Sequence, residues 1–259
     1  MTCFLVVDIG NTQTVFGLYK GTELACHWRL SSEPNKTADE MSLQLNSMFA
    51  QNGIDVSEIQ GILAASVVPH LDAVLTRACQ RACNKTPAFV GTADVKTGMA
   101  VDYKNPREVG ADRIVNAVAA REHFGSPVIV MDCGTATTFD IVSPEGRYAG
   151  GLIVPGMEVA LAALSERAAK LPEVTSGRLD VLIARDTASS MQAGSYWSTV
   201  DGLSGIIRRL HSLPGFEHAP VVASGGLAEE IIGDIEDITA CRPDLTLEGL
   251  RLLATQHFV

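Results

Sequence analysis

The stretch VVDIGNTQTVFGLY (residues 6–19) runs through buried-looking residues to Asp8, turns at Gly10 and Asn11, and returns through alternating Thr14, Phe16 and Leu18. Period-two alternation on both sides of a Gly-Asn turn predicts a β-hairpin. A hairpin alone needs neither a carboxylate before the turn nor threonines after it. The pattern recurs in VMDCGTATTFDIV (residues 130–142), where Asp132-x-Gly134 again closes a strand. Thr138 follows Asp132 by the six positions that separate Thr14 from Asp8. The two aspartates, residues 8 and 132, are 124 residues apart in a chain of 259, so the repeat spans about half the sequence.

The elements around the repeats follow. Strands are expected near 3–9, 14–20 and 23–30. A helix follows from Thr37, because Thr37 and Glu40 form a capping box ahead of Met41, Leu45, Met48 and Phe49 at helical spacing, and Gly53 ends it. GILAASVV (61–68) reads as a fully buried strand, with Pro69 opening a helix to about Cys83. Residues 91–109 read as a loop, and a helix runs from Gly110 to Gly125. The strand pattern then restarts in VIVMDCG and TTFDIV, turns at SPEG (143–146) and continues in RYAGGLIV. A duplicated three-strand meander followed by helices predicts two similar α/β lobes, residues 1–124 and 125–259, facing each other across a nucleotide cleft.

Composition narrows the chemistry. Hydrophobic residues make up 46% and charged residues 19%, which supplies a core and rules out a disordered chain. A net charge of −10 repels nucleic-acid backbones and anionic membranes, so the expected partner is a small molecule. The six cysteines form no C-x-x-C pair and the six histidines no zinc spacing, which fits reduced thiols in a cytoplasmic protein. Asp8 interrupts the first apolar run, arguing against a signal peptide. Pro155, Gly156 and Glu158 break GGLIVPGMEVALAAL, the most apolar later stretch, as a membrane span.

Turns rich in Gly, Asn and Thr offer backbone N–H groups and hydroxyls to phosphate, while a nearby aspartate can hold a hydrated divalent cation on it. On this reading Gly10 admits the phosphates, Asn11, Thr12 and Thr14 donate to them, and Asp8 handles Mg²⁺. The plainer alternative is a hairpin whose Asp and Thr satisfy turn backbone. Neither G-x-x-x-x-G-K-[ST] nor G-x-G-x-x-G occurs. A third glycine motif, VVASGGLAEE, ends a strand at Ala223. Its glycines would let a base or ribose lie on the backbone, or simply turn a strand into a helix.

Taken together, DIGNTQTVFGLY, YKNPREVGADRIVNAVAA, VMDCGTATTFDIV, YAGGLIVPGM, DTASSMQAG and ASGG, in this order, resemble the type III pantothenate kinases, a branch of the sugar kinase/Hsp70/actin superfamily. The resemblance covers essentially the whole chain and implies two actin-like (ribonuclease H-like) lobes. It also implies phosphorylation of pantothenate by ATP, the first step of coenzyme A biosynthesis. Carried over by position, Asp8, Ile9, Gly10, Asn11, Thr12, Gln13, Thr14 and Val15 match the ATP phosphate-binding segment, and Thr135 a further ATP contact. Tyr103, Gly110, Ala111, Asp112, Arg113 and Thr187 match substrate contacts, with Asp112 as the catalytic base. Asp132 matches a monovalent-cation site, for K⁺ or NH₄⁺. Gln13 stands where the family commonly has asparagine, and Cys133 where it often has phenylalanine.

Plainer readings stand beside these. Asp112 in a first helical turn suits the macrodipole, and Arg113 with Asn116 reads as a solvated edge. Tyr103 reads as loop packing, and Thr187 as a helix cap. The small residues of the helix from 187 onward, Gly194, Ser198 and Gly202 among them, suit a homodimer contact or internal packing. A catalytically silent nucleotide-binding accessory protein of the same fold is the alternative to the enzyme; the presence of Asp8, Tyr103, Asp112, Arg113, Asp132 and Thr187 favours the enzyme.

Overall fold

The computed structural model describes residues 2–259. The first strands, β1 (Cys3–Ile9), β2 (Gln13–Lys20) and β3 (Glu23–Ser31), form an antiparallel meander. Helix α1 (Ala38–Gln51) starts where the capping box predicts: the Glu40 N–H donates to Thr37 Oγ1 at 3.2 Å, and the Thr37 N–H to Glu40 Oε2 at 2.8 Å. Strand β4 (Gly61–Ser66) lies parallel to β1, and α2 (Pro69–Cys83) begins on Pro69, whose missing N–H costs nothing in a first turn. Short β5 (Ala88–Phe89) pairs with β4. Helix α3 (Ala111–Phe124) precedes the second meander, β6 (Val128–Cys133), β7 (Ala136–Val142) and β8 (Tyr148–Pro155). Next come α4 (Met157–Arg167), α5 (Thr187–His211), β9 (Val221–Ser224), α6 (Ala228–Ile231), β10 (Ala240–Cys241) and α7 (Leu245–Phe258).

Two five-stranded sheets result, β3-β2-β1-β4-β5 and β8-β7-β6-β9-β10. Read in these directions, the orders superimpose element for element, with β1 and β6 as central strands. The duplication expected from the two Asp-x-Gly turns is therefore a duplication of sheet topology.

The first compact unit comprises the described residues up to Met99, Lys104–Ala119 and Leu245–Val259. On one face of its sheet, Leu5, Val7, Ile9, Phe16 and Leu18 pack with Leu45, Phe49, Leu71 and Leu75 of α1 and α2. Helix α7 packs against β1, β2 and β4, with the Phe258 ring stacked on Phe4 at 5.8 Å and Thr246 Oγ1 donating to Asn116 Oδ1 at 2.8 Å. Covered on both faces, β1 can be apolar at nearly every position. The second unit comprises Ala100–Tyr103 and Ala120–Asp244. Its core joins Ile129, Met131, Phe139 and Ile141 to Tyr196, Val200, Leu203 and Ile207 of α5.

These units differ from one division at 124/125. The last helix returns to the first sheet, and residues 100–103 join the second unit through hydrogen bonds from Tyr148 N–H to Ala100 O and from Asp102 N–H to Tyr148 O, each 2.8 Å, and an Arg147–Asp102 ion pair. No helix among the described residues is long and apolar enough to cross a membrane. All six cysteines are free thiols.

Candidate active site

Asp8 is the penultimate residue of β1, half-buried, and Asn11, Thr12 and Gln13 of the following turn are exposed. The Gly10 N–H donates to Gln13 O at 3.0 Å, and Ile9 pairs with the buried Thr14, whose Oγ1 lies 2.9 Å from Ser32 Oγ. The Val67 N–H, just past the end of β4, donates to Ile9 O at 3.0 Å. A Cβ at Gly110 would meet Val67 Cγ1 at 3.4 Å. The phosphate-type turn and the start of α3 thus lie at one end of the first sheet, and Gly110 to Arg113 share it with Asp8.

Asp112 Oδ1 accepts the Arg113 backbone N–H at 2.8 Å. Burial pushes the Asp112 carboxyl above the ordinary carboxylate value, and the Arg113 N–H and guanidinium only partly oppose this. A carboxylate held so is a better proton acceptor than a solvated one. The reading of Arg113 and Asn116 as a solvated edge does not survive: they are 9% and 1% exposed. Asn116 holds α7 through Thr246, whereas Arg113 stands beside the candidate base.

In the second unit Asp132 sits one residue before the end of β6, paired with Thr138 of β7 and Ser224 of β9. Its turn is closely roofed. The Gly156 N–H donates to Thr135 O at 3.1 Å, and no Cβ fits at Gly156 against the carbonyls of residues 134 and 135. Gly225 has φ +89°, and a Cβ there would lie 2.5 Å from both Asp132 Oδ1 and Cys133 O. ASGG therefore lets the backbone pass close against a carboxylate oxygen and a carbonyl, where no side chain fits. Burial, with the Asp132 charge second, pushes the Cys133 thiol up to about 12, so this cysteine is inert. Thr135 is exposed at the tip of the turn.

The matched six-residue offsets are not structurally matched. Thr14 pairs with Ile9, but Thr138 pairs with Asp132, and the register partner of Cys133 is Thr137. The second turn is one residue shorter, and an odd difference flips the alternation. Thr14 and Thr137, 1% and 3% exposed, are the equivalent pair.

Tyr103 is 39% exposed, with its ring 3.7 Å from the Cβ position of Gly150 in β8, so it is surface rather than core packing. Thr187 is the exposed first residue of α5, and Asp186, not Thr187, is the cap, accepting the Ser189 N–H at 2.9 Å. Sequence reading missed Gly156 as the roof of the second turn; its PGM context, with glycine just before a helix, is the signal that marks it.

The description "Type III pantothenate kinase" belongs to the family model that matches residues 4–209. Relatives with that name include proteins from Moorella thermoacetica, 48% identical over 96% of this chain and 97% of their own, and Brevibacillus brevis, 43% identical over the same shares. Solved structures of like fold include a protein described as a Baf family transcriptional activator from Campylobacter jejuni, with TM-score 0.61 and 18% identity over 97% of this chain and 98% of its own. Another is component A of (R)-2-hydroxyglutaryl-CoA dehydratase from Acidaminococcus fermentans, with TM-score 0.55 and 13% identity over 96% and 95%. The two sheets of equal strand order are those of this actin-like fold, and the chain belongs to the type III pantothenate kinase family.

Proposed function

We infer that the chain transfers the γ-phosphoryl group of ATP to the primary hydroxyl of pantothenate, giving 4′-phosphopantothenate, the first step of coenzyme A biosynthesis. The family assignment supports the reaction. The observation that carries the roles is the half-buried Asp112, its carboxyl pushed upward, at the strand-end that holds Asp8. Phosphoryl transfer asks the protein mainly for alignment and charge neutralisation. Asp112 accepts the hydroxyl proton, while Tyr103, Gly110, Ala111, Arg113 and Thr187 hold pantothenate, Arg113 facing its negative charge. Asp8 to Val15, with Thr135, hold the nucleotide phosphates.

Asp8 would hold Mg²⁺ through water, and Asp132 a monovalent cation through its carboxylate. When bound, these cations would neutralise charge on the phosphates.

Free thiols, which persist in a reducing compartment, support a cytoplasmic protein. The exposed stripe of small residues Gly194, Ser198 and Gly202, at every fourth position of α5, supports a homodimer through that helix. Sedimentation of a Ser198→Arg variant as a monomer beside a dimeric parent is the expected result.

The test of function is formation of ADP and 4′-phosphopantothenate from ATP, Mg²⁺ and pantothenate, with and without K⁺ or NH₄⁺. Loss of general-base catalysis in Asp112→Asn should lower kcat by roughly 10²–10⁴. A folded, ATP-binding protein that makes no product with any cation would return the reading to the silent accessory protein.

A further inference from the structure

The segment between α4 and α5, residues 168–186, has no regular structure, a length at which such a segment is either functional or a linker. It leads into Thr187. It carries an exposed apolar triplet, Val181, Leu182 and Ile183, at 51%, 73% and 83%. Its beginning is moored by Ser165 Oγ donating to Pro172 O at 2.8 Å. Its middle is moored by one ion pair, Arg178 Nε to Asp234 Oδ2 at 3.1 Å. The same Asp234 oxygen accepts the hydroxyl of Tyr196 at 2.6 Å. Tyr196 is wholly buried in α5, and burial, then Asp234, pushes its hydroxyl up to about 12, so it stays a donor at any working pH.

Arg178 lies nine residues before Thr187 and Tyr196 nine residues after it. One carboxylate oxygen therefore ties the approach to Thr187 and the helix that leaves it, closing residues 178–196 into a loop on Asp234. Asp234 itself is set by the turn after α6, where its side chain is 20% exposed. A surface ion pair contributes little to stability on its own. Shared with a buried tyrosine, this one has a defined geometry.

We propose that Asp234, with Arg178 and Tyr196, is a positioning device that presents Thr187 to pantothenate and so sets the affinity for pantothenate but not for ATP. This rests on the assignment of Thr187 as a pantothenate contact. None of the three side chains needs to touch substrate; they act through the backbone on either side of it.

The full-length enzyme is assayed with pantothenate and ATP varied separately. Arg178→Ala should raise the KM for pantothenate roughly tenfold, leaving kcat and the KM for ATP within about twofold. The Arg178 side chain is 55% exposed, so the variant should unfold at the parent's midpoint. Arg178→Lys should recover part of the loss, and Asp234→Ala should match or exceed it. If Asp234→Ala does not fold, Tyr196→Phe, which keeps the buried ring, stands in. A folded Arg178→Ala enzyme with unchanged pantothenate KM, or with both KM values and kcat moved alike, overturns the proposal. Thr187→Ala separates the two layers. An unchanged pantothenate KM there removes the contact and the proposal together, whereas a raised KM beside a silent Arg178→Ala keeps the contact and removes the tie.

Discussion

The two Asp-x-Gly turns descend from one pattern and are built differently. The first is longer and open, with Asn11, Thr12 and Gln13 exposed and Gly10 carrying only one near neighbour, Gln13 O at 3.1 Å from its Cβ position. The second is shorter and roofed on two sides by Gly156 and Gly225. An open turn suits a ligand that arrives and leaves with every cycle, such as the polyphosphate of ATP. A roofed turn suits a small ion at a fixed carboxylate. The duplicated sheet supplies two strand-ends of like chemistry, and on the proposed roles the material packed over each divides the work.

The strongest way to break this contrast is to add one methyl group to the first turn and one to the roof of the second. Gly225→Ala places a Cβ 2.5 Å from Asp132 Oδ1 on a backbone with φ +89°. The conformation costs about 1–3 kcal/mol and the overpacking a similar amount. Gly225→Ala should therefore lower the unfolding midpoint clearly and weaken activation by K⁺ or NH₄⁺. Gly10→Ala needs a shift of only a few tenths of an ångström and no change in backbone region, so its stability should stay within about 1 kcal/mol of the parent. Its effect should appear instead in the KM for ATP. Equal loss of stability in both variants would mean that the second turn is not specially roofed.

A pH profile sharpens the same contrast, because the candidate base belongs to the first unit. Burial raises the Asp112 pKa, and the base must be ionised to accept a proton. Activity should therefore be full at high pH and fall as pH drops through the raised value, above the ordinary aspartate value of about 3.9. The acid limb of kcat/KM should lie there and vanish in Asp112→Asn. In Gly225→Ala the plateau should fall while the limb stays in place. A limb that moved with the second turn would give the proton to the wrong unit.

Much of this was legible before any coordinates. The capping box at Thr37, Pro69 at the head of α2 and the two strand-turn-strand repeats are local patterns, and each formed as its local chemistry dictates. What the sequence hid is non-local. Strands β5 and β10 have two residues each, too few for a period, and take their identity from β4 and β9. Helix α4 was visible only as an apolar run broken by Pro155 and Gly156; Pro155 ends β8 and Gly156 is the N-cap of α4. Helix α7 carries no motif, and its return to Phe4 and Asn116 undoes any division of the chain at a single point. At the candidate site, both aspartates stand at strand ends as their context implies. The burial of Arg113 and the tie at Asp234 depend on residues distant in sequence.

The repeat also misled in one particular, and the smallest prediction turns on it. From β1 to β6 the spacing is 124 residues, as from Ile9 to Cys133, but from β2 to β7 it is 123, as from Thr14 to Thr137. Equal sequence offsets suggested Thr138 as the partner of Thr14. Register and burial choose Thr137, which faces the core beside Cys133 as Thr14 does beside Ile9. Valine keeps the shape of threonine and removes its hydroxyl. Thr14→Val leaves Ser32 without its 2.9 Å partner and should cost about 1 kcal/mol. Thr137→Val, which strips a buried hydroxyl from beside the Cys133 thiol, should cost a comparable amount. Thr138 is half-buried and makes only a long 3.4 Å bond to Asp140, so Thr138→Val should stay within about 0.5 kcal/mol. Denaturant midpoints for the three variants decide between register and offset. If Thr138 rather than Thr137 behaves like Thr14, the equivalence lies in the sequence offset and the two turns are alike after all.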